Sequence, residues 1–383
     1  MPCAVLAQPT AFSAAVEAAW SRSVQMQSTQ GQLELAAANQ SAARALWAAP
    51  PAVELSHRTD RLQDSLGRTE SEVGLAWPLL LPGQRSARQS AAAADRAVAE
   101  ATLATAKLRL AGEVREAAWT VVARQAESSV AARHARSLEA LANDVERRVT
   151  AGDLARADAL AARAELLAAS AAAGEASLRL GTARAQWMQL TGMEQVADPA
   201  EDARPTAALH PEVALAALTA QGARSRLDVV RASRMEPPEL TVRYRRDTAG
   251  GGLPAENSVG IAIRIPLGTE DRNLPREKAA LAELETAKAE ELRQQRRLES
   301  EAATAALGVR IAEEQVRAEA ERADLLRERA TLIERSFRAG ESALPELLRA
   351  SAAAAQAEAA LAAQRAALGL ARGRLNQVNG LMP

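Results

Sequence analysis

The segment Val73-Gly-Leu-Ala-Trp-Pro-Leu79 alternates large apolar residues with small ones. The second half of the chain contains a counterpart, Val259-Gly-Ile-Ala-Ile-Arg-Ile265. Two further segments alternate in the same way: Pro51-Ala-Val-Glu-Leu-Ser-His-Arg58 and Leu240-Thr-Val-Arg-Tyr-Arg245. A period of two predicts β-strands with one apolar face and one small or charged face. The four segments therefore predict two β-hairpins, one in each half of the chain.

Each predicted hairpin is followed by a long stretch without proline. No proline lies between Pro82 and Pro199, or between Pro275 and Pro345, and both stretches are rich in Ala, Leu and charged residues. This composition has a high helix propensity. We predict very long helices over 84–149 and 276–338, followed by shorter helices over 154–191 and 343–378.

The breaks after the long helices carry turn signals. They read Thr150-Ala-Gly-Asp153 and Ala339-Gly-Glu-Ser342. Gly152 and Gly340 suit C-terminal helix caps, whereas Asp153 and Ser342 suit the N-caps of the following helices. Each break therefore predicts a tight turn between antiparallel helices.

The same features recur at a nearly constant spacing. Gly152 lies 188 residues before Gly340, and Gly192 lies 188 residues before Gly380. A constant offset over the whole chain indicates an internal duplication. We predict two repeats, 8–199 and 200–383, each with the order helix, strand, strand, very long helix, shorter helix.

Composition excludes several classes of protein. Lys+Arg 47 against Asp+Glu 48 gives a net charge of −1, which does not suit a nucleic-acid binder. Alanine contributes 95 residues and aromatic residues only 2%, so the chain cannot build the thick core of a compact two-domain enzyme. One Cys excludes a disulfide framework, and the spacing of His57, His134 and His210 matches no metal site. We therefore predict neither an enzyme nor a bound cofactor.

Two short hairpins are too few strands to complete a barrel or a sandwich. Several copies of the chain could share one sheet, with the apolar face toward lipid and the charged face toward water. A face of a soluble β-sandwich is the alternative. Two other classes also remain open, a periplasmic adaptor built on helical hairpins and a coiled-coil scaffold without a pore.

The first residues resemble the end of an export signal. Val5-Leu6-Ala7 before Gln8 has the small-residue character of a cleavage site, although the usual basic and apolar stretches do not precede it. Residues 1–7 are interpreted as the remnant of a signal peptide. Lipidation at Cys3 is left open.

Taken together, these segments resemble the outer membrane factor family of TolC-type export channels. The resemblance covers nearly the whole chain and rests on the two strand motifs above, on Leu190-Thr-Gly192, and on the stretches Ala151-Gly-Asp-Leu-Ala-Arg-Ala-Asp-Ala-Leu160 and Phe337-Arg-Ala-Gly-Glu-Ser-Ala-Leu-Pro-Glu-Leu-Leu348. The Ala-Gly-Asp turn resembles the CzcC-like branch, which serves heavy-metal efflux.

The resemblance implies a mainly α fold with a membrane β-barrel. A duplicated TolC-like protomer would form a homotrimer, in which four strands per chain build a twelve-stranded barrel in outer membrane lipid and the helices build a long periplasmic α-barrel. It also implies a periplasmic adaptor (membrane fusion) protein and an inner-membrane pump of the resistance-nodulation-division type as partners. The channel would be a passive duct, with divalent heavy-metal cations as the expected substrates.

Family position also implies candidate site residues. The pore constriction at the periplasmic tip would involve Asp158 and Glu346, each six residues after its turn glycine, with Arg349 where the family has a second acid. This departure allows an Arg–Glu latch instead of a double acidic ring. The helix-turn tip, expected to dock the adaptor, would comprise Gly152, Asp153, Gly340 and Glu341. Strand alternation places Arg243, Arg245 and Arg264 on the lumen side of the barrel.

Overall fold

The computed structural model describes residues 11–62, 66–202 and 209–383, so the predicted signal remnant lies outside the described residues. The described part of the chain is mainly helical, at 72%, with one four-stranded antiparallel sheet. The elements in chain order are α1 (Ala11–Arg22), α2 (Val24–Ala42), β1 (Ala52–Thr59), β2 (Thr69–Pro78), α3 (Gln84–Ala151), α4 (Arg156–Thr191), α5 (Pro211–Ala232), β3 (Glu239–Thr248), β4 (Glu256–Arg264), α6 (Glu270–Arg338) and α7 (Leu344–Val378).

The second half has the predicted order of elements, and the first half differs only in beginning with two helices, α1 and α2, where one was predicted. The long helices α3 and α6 have 68 and 69 residues, and the shorter helices α4 and α7 have 36 and 35. One boundary was wrong, because α6 begins at Glu270 and includes Pro275. A proline in the second turn of a 69-residue helix removes a single intrahelical hydrogen bond near the end, which the rest of the helix tolerates.

The two predicted hairpins join into one sheet with the strand order β1-β2-β3-β4. The central pair is β2 with β3, which brings the two halves of the chain together over ten paired positions from Thr69↔Thr248 to Pro78↔Glu239. The backbone bond from Leu79 N–H to Pro238 C=O, 2.7 Å, extends this pairing beyond the strands. Sequence alternation alone did not indicate which strands of the two hairpins would meet.

The register sorts the side chains of the sheet onto two chemically different faces. The apolar face consists of Val53, Leu55, Val73, Leu75, Trp77, Leu240, Val242, Tyr244, Val259, Ile261 and Ile263. Its edge residues are strongly exposed, with Leu55 at 76% and Ile261 at 73%. The polar face carries Glu54, Glu70, Glu72, Arg243, Arg245 and Asp247. One protomer therefore leaves a large apolar sheet surface uncovered.

The chain divides into two compact units. The first comprises Met1–Gln27, Ala104–Pro211 and Arg296–Pro383, and the second comprises Ser28–Leu103 and Glu212–Gln295. The second unit contains the sheet and a small core of Ala223, Leu227, Ala280 and Leu284, in which α5 packs against α6. Alanine occupies half of these core positions, as expected for helices that pack closely with small side chains.

The first unit contains a buried ion pair between Arg115 of α3 and Glu201. Their side chains are only 2% and 6% exposed, and the Arg115 Nε atom lies 3.1 Å from a Glu201 carboxylate oxygen. Arg115 also donates to Gln377 Oε1 and to the Leu381 carbonyl, while Asn376 donates to the same carboxylate. This network fixes the segment after α4 and the end of α7 to the middle of α3.

Replacing Arg115 with Met should destabilise the protein by about 3–5 kcal/mol, because it leaves the Glu201 carboxylate buried without its counter-charge. The loss is to be measured by thermal unfolding followed by circular dichroism at 222 nm. The double variant R115M/E201Q should recover part of it. As a control, R226M removes the exposed Arg226–Asp95 pair and should cost less than about 1 kcal/mol. An R115M variant as stable as R226M would contradict the role of the network.

Candidate functional site

The turn after α3 is closed by Gly152. This residue has a φ of +88° in the left-handed region, and its N–H donates to the Val149 carbonyl at 3.1 Å. The next N–H, that of Asp153, donates to the Arg148 carbonyl at 2.8 Å. These two bonds form a Schellman motif, which favours glycine because residues with a Cβ are strained there. The predicted cap role of Gly152 is confirmed.

The turn after α6 has the same geometry. Gly340 has a φ of +79°, and its N–H donates to the Phe337 carbonyl at 3.1 Å. The Glu341 N–H donates to the Ser336 carbonyl at 2.9 Å. The sequence duplication is thus also a duplication of the hydrogen bonds that reverse the chain.

The predicted N-caps were wrong by one residue in the second repeat and by two in the first. The cap of α4 is Ala155, not Asp153, and that of α7 is Ala343, not Ser342. Both alanines have the same extended backbone, with φ/ψ of −76°/149° and −80°/147°. The reason is that the Schellman motif uses the N–H after the glycine to close the preceding helix, so the next helix begins further on. Asp153 and Glu341 are left exposed at the turn.

The two repeat-related acids differ in their contacts. The Asp158 carboxylate accepts the Ala155 N–H at 3.3 Å, so it caps the first turn of α4. Glu346 occupies the equivalent position on α7, where its backbone N–H reaches the Ala343 carbonyl at 3.1 Å. Its side chain is exposed and makes no hydrogen bond or ion pair with the described part of the chain. Only the carboxylate of Glu346 is therefore fully available to water or to a passing ion.

Arg349 lies one turn after Glu346 and is also exposed. Its Nε atom donates to the Pro345 carbonyl at 3.1 Å. Within a single chain this bond to the backbone takes the place of the expected Arg–Glu latch. The guanidinium nevertheless adds a positive charge close to the Glu346 carboxylate.

A shared apolar cluster brings the two turns together at one end of the first unit. It contains residues from all four helices that flank the turns: Val145, Ala162, Phe337, Leu344 and Leu347. The Arg148 guanidinium lies 5.3 Å from the centre of the Phe337 ring and pairs with Asp144 at 3.0 Å. Gly152, Asp158, Gly340, Glu346 and Arg349 are therefore carried on one packed platform.

Behind this platform, α3, α6 and α7 enclose a cleft of about 590 Å³. Glu358 of α7 spans its mouth, with Arg133 of α3 at 3.6 Å and Arg327 of α6 at 3.0 Å. The lining also includes His134, whose pKa is lowered by burial, against the opposing charge of Glu165. Sequence reasoning missed this ionic bridge, because its members are distant in the chain and show no motif.

The predicted lumen arginines lie on the polar face of the sheet. Arg243 is 3.3 Å from Glu72 and 3.7 Å from Glu54, while Arg245 is 3.2 Å from Glu70 and 3.1 Å from Asp247. Arg264 stands at the end of the edge strand β4, opposite Glu239. Two of the three arginines are thus neutralised within the sheet, and the third is not.

The described ranges contain no group of three or more His, Cys, Asp or Glu side chains arranged to hold a metal ion. None of the helices in those ranges combines the length and the apolar character that a membrane crossing requires.

Sequence comparison identifies one family. Residues 15–193 match the model of the outer membrane efflux protein family. The channels of this family are passive ducts and not enzymes. No curated protein matches the sequence at a significant level.

The structure is similar to those of outer membrane channels over nearly its whole length. CusC aligns with a TM-score of 0.82 at 15% identity, over 97% of this chain and 92% of that one. VceC of Vibrio cholerae aligns with a TM-score of 0.77 at 15% identity, over 97% of both chains. CmeC of Campylobacter jejuni aligns with a TM-score of 0.77 at 13% identity, over 96% of this chain and 85% of that one. At these identities, the similarity establishes the fold.

Replacing Gly340 with Ala should destabilise the turn by roughly 1 kcal/mol, because a Cβ is strained at a φ of +79°. The change is to be measured as the thermal midpoint in detergent. Gly174 is the matched control, since it lies exposed within α4 and a Cβ there would meet no atom within 4 Å. G174A should stabilise the protein by about 0.5–1 kcal/mol. Equal effects from the two substitutions would contradict the assigned turn geometry.

The lowered pKa of His134 predicts a loss of stability in acid. The folded state favours the neutral imidazole, so its contribution to stability is complete above the ordinary pKa of 6.5 and is lost as the pH falls from there through the lowered pKa of the folded state. The free energy of unfolding is to be measured for wild type and H134Q at pH 7.5 and at pH 5.5. Between these values the wild type should lose more stability than the variant. A pH-independent difference would show that His134 titrates normally.

Proposed function

We propose that this chain, whose residues 15–193 match the model of the outer membrane efflux protein family, is the protomer of a homotrimeric outer membrane duct. The duct would carry substrates from an inner-membrane pump to the exterior. The helices would form its periplasmic tunnel and the sheet its membrane barrel. The channel would consume no energy itself, since transport would be driven by the pump.

The main support for this proposal is that the four-stranded sheet is incomplete within one chain. Its apolar face is exposed, and both edge strands, β1 and β4, have one side without a strand partner in the described part of the chain. In water such edges pair with other chains and such faces aggregate. Three copies that share a twelve-stranded barrel would satisfy the edges, and lipid would cover the apolar face.

The polar face supports the same orientation. Its ion pairs from Arg243 and Arg245 join β2 with β3, and Arg243 also approaches β1. Charges of this density are stable toward water but not toward hydrocarbon. We place them, together with Arg264, in the aqueous lumen.

The periplasmic tip is proposed to dock the adaptor. Gly152, Asp153, Gly340 and Glu341 are all exposed and form the two matching turns. A pair of equivalent turns per chain would give a trimer six similar docking positions. The adaptor would in turn connect the duct to a pump of the resistance-nodulation-division type.

The constriction is proposed to lie just inside this tip. Three copies of Asp158, Glu346 and Arg349 would approach the axis there. Because Asp158 already caps α4 while the Glu346 side chain has no partner among the described residues, Glu346 is the acid that would act on ions. Rings of carboxylates attract cations, and the three arginines would moderate this attraction.

Divalent heavy-metal cations are the proposed substrates. The support is the resemblance of the Ala151-Gly-Asp153 turn to the CzcC-like branch, together with the carboxylates at the tip. The adaptor and scaffold alternatives leave the exposed, alternating strands without a role.

The location and assembly are tested directly by expression in a Gram-negative host with a signal peptide. We expect the protein in the outer membrane fraction, and a trimer by native mass spectrometry in detergent. A purified protein that is monomeric and soluble without detergent would reject the proposal.

Replacing Glu346 with Gln should weaken block by multivalent cations, because three negative charges would leave the constriction. The measurement is single-channel conductance in planar bilayers, with a hexaamminecobalt(III) titration from the periplasmic side. E341Q is the matched control, since it removes an exposed acid from the same turn but outside the proposed ring. Identical block by wild type, E346Q and E341Q would exclude Glu346 from the pore.

A further inference from the structure

On the polar face, the edge strands carry charges that the described part of their own chain pairs weakly or not at all. Arg264 of β4 forms no ion pair with the described residues, although Glu239 lies opposite it on β3. Glu54 of β1 pairs only loosely with Arg243, at 3.7 Å, compared with 3.3 Å for Glu72. Each edge also carries a charge of the other sign on this face, Arg58 on β1 and Glu256 on β4, so the register between copies decides which charges meet.

We infer that β4 of one copy pairs with β1 of the next in the register that places Arg264 opposite Glu54. The inference rests on the trimeric barrel proposed above and adds to it the residues that fix the contact between copies. In an up-and-down barrel this contact is antiparallel, like the three pairings within the chain.

Closure of the barrel limits the possible registers. Within the chain, a line of facing residues runs from Glu54 through Gly74 and Arg243 to Gly260. A barrel closes only if this line is staggered when it reaches the next copy, and the stagger must be even to keep each face continuous. A stagger of four residues at each contact between copies adds up to twelve residues around the trimeric barrel. With a rise of about 3.3 Å and a strand spacing of about 4.7 Å, the strands would tilt by about 35°, at the lower end of the usual range.

Charge selects the direction of that stagger. A shift of four residues in one direction sets Glu54 opposite Arg264, whereas the same shift in the other direction sets it opposite Glu256. Opposite charges across a strand pair stabilise it and like charges destabilise it. The first direction is therefore favoured.

The other even registers are less suitable. Without a stagger, Arg58 would face Glu256, but the strands would have no tilt. A shift of six residues gives a tilt of about 46° and sets Arg264 opposite the uncharged Ser56. It would also leave a shorter overlap between β1 and β4 than the shift of four.

The apolar face agrees with the favoured register. The shift of four sets Leu55 opposite Ile263, two residues that are 76% and 62% exposed in the single chain. Their contact would continue the apolar face from one copy to the next. The same alignment sets Ser56 opposite Ala262 on the polar face, which provides a site for cross-linking.

Engineered disulfides distinguish the registers. In a Cys3→Ser background, we expect S56C/A262C to form cross-linked dimers and trimers on oxidation, because directly opposite Cβ atoms lie within reach of a disulfide. S56C/S258C reports the unstaggered register, and S56C/R264C reports the shift of six. Within one chain the two residues of each pair are three strands apart, at least about 14 Å, so a cross-link must join two copies. Faster cross-linking of either comparison pair would overturn the inference.

Charge reversal provides a second test. R264E should lower the stability of the trimer by roughly threefold or more in its association constant, because three seams each gain a pair of like charges. E54Q/R264E should recover part of this loss. R58E is the matched control, since it places two like charges opposite each other within the chain, at Glu70, while the favoured register sets position 58 opposite Gly260 of the next copy. It should therefore weaken the association of copies less than R264E does. An R58E trimer weaker than the R264E trimer would support the unstaggered register and reject ours.

The two proposals fail in different ways. A wild-type protein that stays monomeric in detergent overturns both the duct and the register. A trimeric protein in which another pair cross-links first overturns the register alone.

Discussion

In the described part of one chain, the four-stranded sheet has two edges without a strand partner and an exposed apolar face. Each edge presents a row of backbone N–H and C=O groups, and the apolar face presents residues such as Val53 and Ile261 at 66% and 73% exposure. Strand edges require pairing and apolar faces require cover, and a single protomer supplies neither. The proposed association of several copies at a lipid surface would meet both requirements.

The helices pack against one another with small side chains. Ninety-five alanines allow helices of up to 69 residues to pack closely, but each contact buries little area. Specific polar contacts therefore define where the helices meet. The buried Arg115–Glu201 pair fixes the segment after α4 and the end of α7 to α3, and Glu358 joins α3 to α6 across the cleft.

The two repeats preserve backbone geometry more strictly than side-chain chemistry. Gly152 and Gly340 close their turns with the same pair of hydrogen bonds, and the caps Ala155 and Ala343 differ by only a few degrees. The acids that follow have diverged, since Asp158 caps its helix while Glu346 does not. This pattern agrees with the comparisons, in which CusC shares the fold at 15% identity. The turn and strand patterns that define such a fold constrain only a few residue types.

The sequence by itself determined the elements, their order and their duplication, because strand alternation, helix propensity and turn glycines are local properties. It also placed Arg243, Arg245 and Arg264 on the charged face of the strands. It misplaced the N-caps at Asp153 and Ser342, because the hydrogen bonds of the preceding turn decide where the next helix begins. Only the tertiary structure joined β2 to β3, paired Arg243 with Glu54 and Glu72, and buried Arg115 beside Glu201. These contacts connect residues far apart in the chain, and their energies depend on distance and burial, which no local pattern encodes.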